Sequence, residues 1–288
     1  MQRTELGMGW TRRRVLARGA VTAAAAVGAS TVLATEAHAL PVVDMEMVLL
    51  ASQVDPPKAN TGLTPGASAH VIEVERALNA KGLLTSGAVD GHYGTSTISS
   101  YAAWQRSLGY TGIDANGIPG PSSLTALGNG RYTVTRAVST GSRTDTYGGR
   151  RVNTRTRNML AAADAMLSWN LVLSQGSYTS ANPSSAGTHD GGGVVDISVT
   201  SMTTTQRWET VRALRTVGFA AWLRNPSQGS WPYHIHAAAV SDPDLASAAR
   251  NQIHDYYFGK NGLANHAADD TPTAYRASFT WWEKYRRA

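Results

Sequence analysis

The sequence predicts an α+β fold, in which a small all-α three-helix segment precedes an α+β domain with a small mixed or antiparallel sheet. Between residues 69 and 130, apolar side chains recur at helical spacing and glycine-rich turns separate the runs. After residue 150, two long helical patterns alternate with apolar runs of strand length. The residues between the two regions are polar and rich in glycine, as a linker is.

The first 39 residues form a predicted export signal. An arginine triplet at residues 12–14 precedes an alanine-rich run from Gly19 to Ala34, and the small-residue pattern Ala37-His38-Ala39 follows. This order is typical of a twin-arginine signal peptide cleaved after Ala39. The run is shorter than the ~20 apolar residues of a membrane-spanning helix. We therefore expect a secreted or cell-wall protein without stable membrane insertion after cleavage, rather than one held by an uncleaved anchor.

Charge and cysteine content exclude several classes of protein. The chain has 288 residues and a formal net charge of +6. The signal contains five arginines and two glutamates, which leaves a net charge of +3 on residues 40–288. That charge is too small to indicate nucleic-acid binding. The chain has no cysteine, so disulfides and thiolate metal sites are excluded and any metal must be bound by nitrogen and oxygen.

The elements of the first half follow from spacing and turns. Residues 40–68 show little periodicity and contain several prolines, so we expect an extended lead-in. Val71, Val74 and Leu78 share one face of a predicted helix that ends at Gly82. A second helix is predicted over 98–108 and a short third one over 122–128, with glycine turns before each. Residues 131–149 are predicted to be a linker that contains a short strand near 134–138.

The segment 69–130 resembles the small three-helix peptidoglycan-binding domain found on many bacterial wall hydrolases. The resemblance rests on Val89-Asp90-Gly91-His92-Tyr93-Gly94, Thr97, Trp104-Gln105, Gly117-Ile118-Pro119-Gly120 and the pair Leu124 and Leu127. Taken singly, Asp90, Tyr93 and Trp104 are equally typical of turn and core positions. The resemblance as a whole implies that the partner of this segment is peptidoglycan.

The second half, residues 150–288, is predicted to contain three helices and four strands. The helices are predicted over 153–169, 203–217 and 242–257, and the strands over 171–173, 194–199, 219–223 and 233–240. Threonines before the second helix are able to cap it, and Asp242-Pro243-Asp244 suits the start of the third. The aromatic tail formed by Tyr256, Tyr257, Trp281, Trp282 and Tyr285 suits packing of a terminal helix better than sugar stacking.

Four residues of this half indicate a metal site. His189 and Asp196 are an odd number of positions apart, so on one regular strand their side chains would face opposite ways. A glycine triplet at 191–193 supplies a turn between them. His234 and His236 are two apart and share one face of a predicted strand. Either pair alone is weak evidence, but together they offer the nitrogen and oxygen ligands that suit Zn²⁺, with a coordination position left open for water.

The constellation of His189, six residues, Asp196 and then His234-Ile235-His236 resembles one group of zinc peptidases. That group includes lysostaphin-type endopeptidases, D-alanyl-D-alanine carboxypeptidases and the hedgehog signalling domain. The resemblance implies that His189, Asp196 and His236 bind Zn²⁺ and that His234 is the catalytic histidine. It implies hydrolysis of peptide bonds by a zinc-activated water, with His234 stabilising the oxyanion or carrying the proton.

The chain departs from this group at two places. No glutamate precedes His234 or His236 at Glu-x-x-His or Glu-x-Trp-His spacing, so no glutamate base is assigned. Some D,D-carboxypeptidases carry an arginine upstream of the first ligand, whereas residues 174–178 here contain none. Carboxypeptidase and endopeptidase action are therefore both open.

Several neighbouring residues are weaker candidates. Gln175, Ser177 and Tyr178 offer neutral donors and acceptors for a peptide backbone, although an ordinary loop explains them equally well. Asp190 either orients a metal ligand or is a solvated turn residue, and we favour the latter. His254 and His266 have no partner at ligand spacing and are expected at the surface.

The sequence therefore predicts an exported zinc peptidase that cuts the peptide part of peptidoglycan and is targeted by residues 69–130. One alternative is a non-catalytic peptidoglycan-binding protein with a structural or vestigial zinc site. Another is a zinc amidase that cleaves the lactyl-amide bond between glycan and peptide. The sequence does not indicate the bond cut or the oligomeric state.

Overall fold

The computed structural model describes residues 39–55, 64–180 and 182–288. The predicted signal peptide lies outside the described residues, apart from Ala39. The fold is α+β, as predicted. The helices are α1 Met45–Val54, α2 Ser68–Ala80, α3 Thr95–Ser107, α4 Pro121–Leu127, α5 Thr154–Asp164, α6 Thr204–Thr216, α7 Ser247–Tyr257 and α8 Trp282–Tyr285. The strands are β1 Val42–Asp44, β2 Thr133–Thr135, β3 Asp145–Tyr147, β4 Arg150–Val152, β5 Leu173–Gln175, β6 Val194–Ser198, β7 Phe219–Arg224 and β8 His234–Ala239.

The largest sheet has four strands in the order β5-β6-β8-β7, and every neighbouring pair is antiparallel. Because side chains alternate along a strand, β6, β7 and β8 each contribute to two cores. Val195, Ile197 and Ile235 belong to a core on one face that also contains apolar residues of α5 and α6. Val194 and Ala238 belong to a second core on the other face. His234, His236 and Asp196 occupy even-numbered positions of β8 and β6, on the side of this second core.

Local capping sets the starts of α5 and α6 close to the predicted positions. The side chain of Asn153 accepts a hydrogen bond from the backbone N–H of Thr156 at 2.7 Å. Thr203 accepts from the N–H of Gln206, whose side chain accepts from the N–H of Thr203 in return. Such reciprocal capping satisfies two donors that a helix start otherwise leaves unpaired. The two helices pack on each other and on one face of the sheet.

The predicted extended lead-in is wrong for its first part. Residues 42–44 form β1, which pairs in parallel with β2, and residues 45–54 form α1. Nine of the ten residues of α1 are buried, so its sequence shows no polar stripe and hence no helical period. Its polar residues have buried partners: Glu46 accepts from Trp281 at 2.6 Å, and Gln53 bonds Ser241 and Asp242.

Helices α2, α3 and α4 correspond to the three predicted helices of the segment 69–130. Glu75 of α2 is buried beneath the Asp90-Gly91 turn and accepts hydrogen bonds from the N–H groups of both residues, at 3.0 and 2.9 Å. Its other oxygen accepts from the hydroxyl of Thr97 at 2.8 Å. Burial raises the pKa of Glu75 to about 7, even though these hydrogen bonds lower it. One buried carboxyl group thus ties the turn to two helices.

The three helices and the four-stranded sheet share one hydrophobic core. Buried residues of α2, such as Val71 and Leu78, belong to the same cluster as Trp222 of β7 and Ile253 of α7. Helix α1 contributes to this cluster and contacts both α2 and α7. Residues 39–288 accordingly form a single compact unit.

Other predicted elements differ in detail. The end of the predicted linker forms β3, which pairs with β4 in a hairpin that places Thr146 opposite Arg151. The buried strand predicted over 171–173 instead runs from 173 to 175, and Val172 is exposed. Residues 242–244 do not begin a helix, and α7 begins at Ser247. None of the helices in the described part of the chain has the length and apolar composition needed to cross a membrane.

The reason for the late start of α7 is the buried Asp242. Its carboxylate accepts from Asn153 at 2.9 Å and from the N–H of Asp244, which holds this stretch as a turn. Of the two histidines expected at the surface, one is buried. His254 is buried and hydrogen-bonds the carbonyl of Val54, so the prediction of a surface position is wrong. His266 is exposed, as expected, and its Nδ1 contacts both carboxylate oxygens of Asp255.

Candidate metal centre

The pairing of strands β6 and β8 brings three of the four predicted residues together. Asp196 lies directly opposite His236, and Ser198 lies opposite His234. Residues two apart on a strand share a face, so both histidines of β8 project on the same side as Asp196. The strand register therefore produces what the His-x-His spacing predicts.

The glycine triplet brings the fourth residue, His189, to this face. A side chain at Gly191 would overlap the carbonyl oxygen of Asp244, against which the turn packs. Gly193 has a φ of +77° and would place a Cβ tightly against the Asp242 side chain. Only glycine meets both demands without strain, so the turn between His189 and β6 depends on these residues.

One nitrogen of His189 is held by the backbone. The ring is almost fully buried, and Nδ1 lies 2.8 Å from the carbonyl oxygen of Gly176. A carbonyl only accepts, so Nδ1 carries the proton and donates. The lone pair is then on Nε2, which lies 3.4 Å from Oδ1 of Asp196. A metal-binding histidine is oriented in this way by its second nitrogen.

His236 is held in the same manner by a residue that sequence reasoning missed. Its Nε2 lies 2.8 Å from Oε1 of Gln252 on α7, and the amide nitrogen of Gln252 donates to the carbonyl of Gly262 at 3.2 Å. The second bond fixes the amide so that Oε1 accepts the proton of Nε2. Nδ1 of His236 then faces Oδ1 of Asp196 at 2.8 Å. No local motif marks Gln252, because α7 meets the sheet only in the folded chain.

The three side chains fit a divalent metal ion. One donor atom from each of His189, Asp196 and His236 lies within 4.8 Å of the others, and among the described residues no other group of three or more such side chains does so. Burial alone would raise the pKa of Asp196, but its interactions with both histidines outweigh this and hold that pKa well below its usual range. Burial lowers the pKa of His236. Both directions favour the protonation state that metal binding needs, an ionised carboxylate at Asp196 and a neutral imidazole at His236.

His234 lies beside this group but outside it. Its Nδ1 is 2.8 Å from the carbonyl oxygen of Pro232, and its Nε2 is 3.9 Å from Oδ1 of Asp196. The ring is partly exposed, and the Trp231 ring meets it edge to face at 6.3 Å. Because the carbonyl holds the proton on Nδ1, Nε2 is free to exchange a proton with a bound molecule.

All four residues line one cavity of about 810 Å³. Its wall also contains Gln252 and Asp255 of α7, and Arg224 at the end of β7. A cavity of this size suits a small molecule or a short peptide. Among the described residues, no glutamate lines the cavity. The structure therefore offers no glutamate as a base there, in agreement with the sequence.

Only one of the three predicted substrate-binding residues reaches the cavity. Gln175 lines it and donates to the hydroxyls of Thr179 and Ser185 at 3.0 and 2.9 Å. Ser177 is fully buried and donates to the carbonyl of Val194 at 2.7 Å. Tyr178 donates to Asp244 at 2.6 Å and packs against the glycine turn. Neither Ser177 nor Tyr178 lines the cavity, and both stabilise the loop.

Asp190 is exposed in the turn, as favoured from the sequence. In comparisons with known proteins, no family model matches the chain, and no curated protein or solved structure shows significant similarity to it. The function is therefore inferred from the residues of this chain alone.

Proposed function

We propose that this protein is a secreted zinc metallopeptidase that hydrolyses peptide bonds of peptidoglycan. The observation that carries the proposal is the convergence of His189, Asp196 and His236 in the wall of a cavity that also contains His234. The resemblance of these residues to those of zinc peptidases of bacterial cell walls supports the choice of substrate.

The donor set supports zinc as the metal. Two imidazole nitrogens and one carboxylate oxygen are common ligands of catalytic zinc. Calcium and magnesium prefer sites made of oxygen alone. When bound at such a site, zinc supplies Lewis-acid polarisation of a carbonyl group and lowers the pKa of water to about 7.

His234 is the residue we assign to proton transfer. Its Nε2 lies on the cavity side, and the carbonyl of Pro232 fixes the tautomer. In its neutral form the ring accepts a proton, and in its charged form it donates one to the leaving amine or to the oxyanion. Among the described residues, no glutamate lines the cavity. The carboxylates there that could act as a base in place of His234 are therefore those of Asp196 and Asp255.

The cavity favours catalysis over a purely structural metal. Structural zinc sites bind the ion through four protein ligands. Here the group contains three residues, and His234 falls outside it. The three residues line a cavity large enough for a short peptide, so a metal bound by them would remain accessible to water and substrate. This arrangement supports an enzyme over the alternative of a non-catalytic wall-binding protein.

Targeting to the wall is assigned to α2, α3 and α4, which carry the motifs of the three-helix peptidoglycan-binding domain. Export by the twin-arginine route would place the protein outside the cytoplasm, where peptidoglycan is found. That route carries folded proteins, which suits a chain whose two halves share one core.

The test uses purified protein and defined muropeptides, incubated with zinc or with a chelator and analysed by mass spectrometry. We expect zinc-dependent release of D-alanine or of cut cross-links. Free glycan would identify the amidase instead. No cleavage by zinc-loaded protein would contradict the enzyme assignment and favour the non-catalytic alternative.

Variants separate the roles of the histidines. His234→Ala is expected to retain zinc and to lose at least a hundredfold in kcat, the usual size of a general acid or base effect. His189→Ala is expected to lose zinc as well. His70→Ala, which changes a histidine of α2 that does not line the cavity, is the matched control. If His234→Ala hydrolyses wall peptides at the control rate, His234 has no catalytic role.

A further inference from the structure

The turn between α3 and α4 is bonded to the loop at residues 242–245, which we call the junction loop and which precedes α7. The amide nitrogen of Asn116 in this turn donates to the carbonyls of Pro243 and Leu245 at 3.1 and 3.2 Å. The amide oxygen accepts from the N–H of Ile118 at 2.8 Å, so both ends of the side chain are fixed. These bonds join the three-helix segment to the half of the chain that contains the metal group.

Arg143 makes a second connection between the same two parts. Its Nε and Nη2 donate to the two carboxylate oxygens of Asp244 in the junction loop, at 2.7 and 2.6 Å. Nη2 also lies 2.6 Å from a carboxylate oxygen of Asp114, which belongs to the same turn as Asn116. Pairing of an arginine with both oxygens of a carboxylate fixes its orientation as well as its distance. The Asp244 side chain is 6% exposed, so salt screens this pair less than a surface pair.

Asp244 in turn contacts the two loops that surround His189. The hydroxyl of Tyr178 donates to the Asp244 carboxylate at 2.6 Å, and the N–H of Gly192 donates to the Asp244 carbonyl at 2.8 Å. A Cβ on Gly191 would overlap the same carbonyl and come within 2.9 Å of Cδ1 of Ile113. The glycine turn therefore packs against both the junction loop and the three-helix segment.

His189 depends on the neighbours of Tyr178 at its backbone and at its ring. The N–H of Thr179 donates to the His189 carbonyl at 2.9 Å. The carbonyl of Gly176, two residues before Tyr178, lies 2.8 Å from Nδ1 of His189. Tyr178 itself has a φ of +57°, a conformation that a residue other than glycine keeps only when its surroundings hold it. The contact with Asp244 is one that holds it.

The two ends of the junction loop are held by different parts of the fold. Asp242 accepts from Asn153 at 2.9 Å, and its carbonyl accepts from Gln53 of α1 at 3.1 Å. The carboxylate of Asp244 is held by Arg143 instead. Loss of the bonds from the three-helix segment would therefore release the end of the loop that contacts the metal site, while the other end stays attached.

We propose that Asn116 and Arg143 are positioning residues of the metal centre, which hold the backbone around His189 through the junction loop. This inference rests on the proposed zinc site. Neither residue lines the cavity that contains the metal group, so both act through Asp244 and its neighbours. Outer contacts that orient a metal-binding histidine affect metal affinity. The three-helix segment is then a part of the catalytic centre, in addition to its proposed role in wall binding.

The test measures metal binding and needs no turnover. Competition with a chromogenic chelator gives the Kd for zinc, and the visible absorption of the Co²⁺-loaded protein reports the geometry of the ligands. Asn116→Ala removes two neutral hydrogen bonds, which correspond to an effect of about fivefold to thirtyfold. We expect the Kd for zinc to rise by a factor in this range and the cobalt absorption to change in position or intensity.

Asn79→Ala is the matched control. Asn79 of α2 donates to a backbone carbonyl in the same way, that of Leu84 at 2.8 Å, but this bond lies within the three-helix segment. The control should lose some stability and keep the wild-type zinc affinity and cobalt spectrum. If Asn116 has a merely structural role, the two variants will behave alike. Equal effects of Asn79→Ala and Asn116→Ala on zinc binding would therefore overturn the inference.

Arg143→Gln keeps the inference testable if Asn116→Ala folds poorly. It removes the paired hydrogen bonds to Asp244 from a partly exposed position. We expect the Kd for zinc to rise at least fivefold, and thermal unfolding establishes that the variant is folded. Wild-type zinc affinity with an unchanged cobalt spectrum in folded Arg143→Gln would overturn the inference.

Hydrolysis of wall peptides by the same proteins separates this inference from the proposed function. Hydrolysis by the wild type, with wild-type zinc affinity in folded Asn116→Ala, would overturn the positioning role and leave the peptidase standing. Weakened zinc binding in Asn116→Ala, without hydrolysis of any wall peptide by the wild type, would refute the peptidase and leave the positioning role standing. A wild-type protein that binds no zinc would overturn both.

Discussion

The role of Gln252 gives a sharp prediction about metal affinity. Its Oε1 lies 2.8 Å from Nε2 of His236 and can accept the proton there, and Nδ1 of the same ring lies 2.8 Å from Oδ1 of Asp196. A proton held on Nε2 makes Nδ1 the nitrogen that would bind a metal beside Asp196. Gln252→Ala removes the acceptor and leaves a buried N–H without a partner. The ring is then free to adopt the other tautomer, in which Nδ1 carries the proton and cannot bind a metal.

The size of the effect follows from the bond that is lost. Loss of a partner around a metal-binding histidine typically weakens metal affinity by about 10-fold to 100-fold. Gln252 is neutral, and a neutral hydrogen bond contributes only about 1 kcal/mol. We therefore expect the lower end of that range, about a tenfold rise in the Kd for zinc. Gln252→Glu provides a stronger, charged acceptor and is expected to bind zinc at least as tightly as the wild type.

Competition with a chromogenic chelator measures these affinities directly and does not require activity. Asn251→Ala is the matched control, because Asn251 is the exposed neighbour of Gln252 on α7 and has no described contact with His236. Thermal unfolding establishes that each variant is folded. Wild-type zinc affinity in folded Gln252→Ala would refute the view that this residue positions His236.

Two further predictions concern stability. Leu49→Ala empties a fully buried position of α1 and should lower the free energy of unfolding by about 2 to 5 kcal/mol in denaturant titrations; a loss below about 0.5 kcal/mol would mean that α1 is not part of the core. The pKa of Glu75 rises from 4.5 to about 7 on folding, so its protonated form is favoured in the native state. The contribution of the protonated Glu75 carboxyl group to the free energy of unfolding is therefore complete below pH 4.5, and it is lost as the pH rises through about 7. Relative to the wild type, Glu75→Gln should become more stable across that window, and a constant difference from pH 4 to 8 would contradict this assignment.

The cluster of His189, Asp196 and His236 could be predicted because the sequence patterns that indicate it are local. His234 and His236 lie two positions apart on one strand and therefore share a face. A glycine turn separates His189 from β6, so its side chain need not follow the alternation of that strand. The spacing of these residues and Asp196 therefore indicates that the four side chains converge, without knowledge of the fold. Gln252 and Arg224 could not be predicted in this way. Each reaches the cavity through tertiary pairing, of α7 against the sheet and of β7 against β8. Nothing in their sequence neighbourhood distinguishes them from ordinary helix and strand residues.

Helix α1 could not be predicted from the sequence for a different reason. Periodicity reveals a helix only when one face meets water, and α1 is buried on nearly all faces, polar residues included. The helix start predicted at Asp242 is wrong for a related reason. Asp-Pro-Asp is a good helix start in isolation, but the buried partners Asn153 and Gln53 hold this stretch as a turn. The tertiary environment overrides local preference at both places.

The shared core also sets a length scale for the proposed enzyme. Helix α1 packs against α2 on one side and α7 on the other, so the three-helix segment does not swing on a tether as a separate module would. If this segment binds the wall as proposed, the distance from the attachment point to the bond being cut is set by the fold. Such an enzyme would cut only peptides at one distance from each attachment point, and a further cut would require release and rebinding.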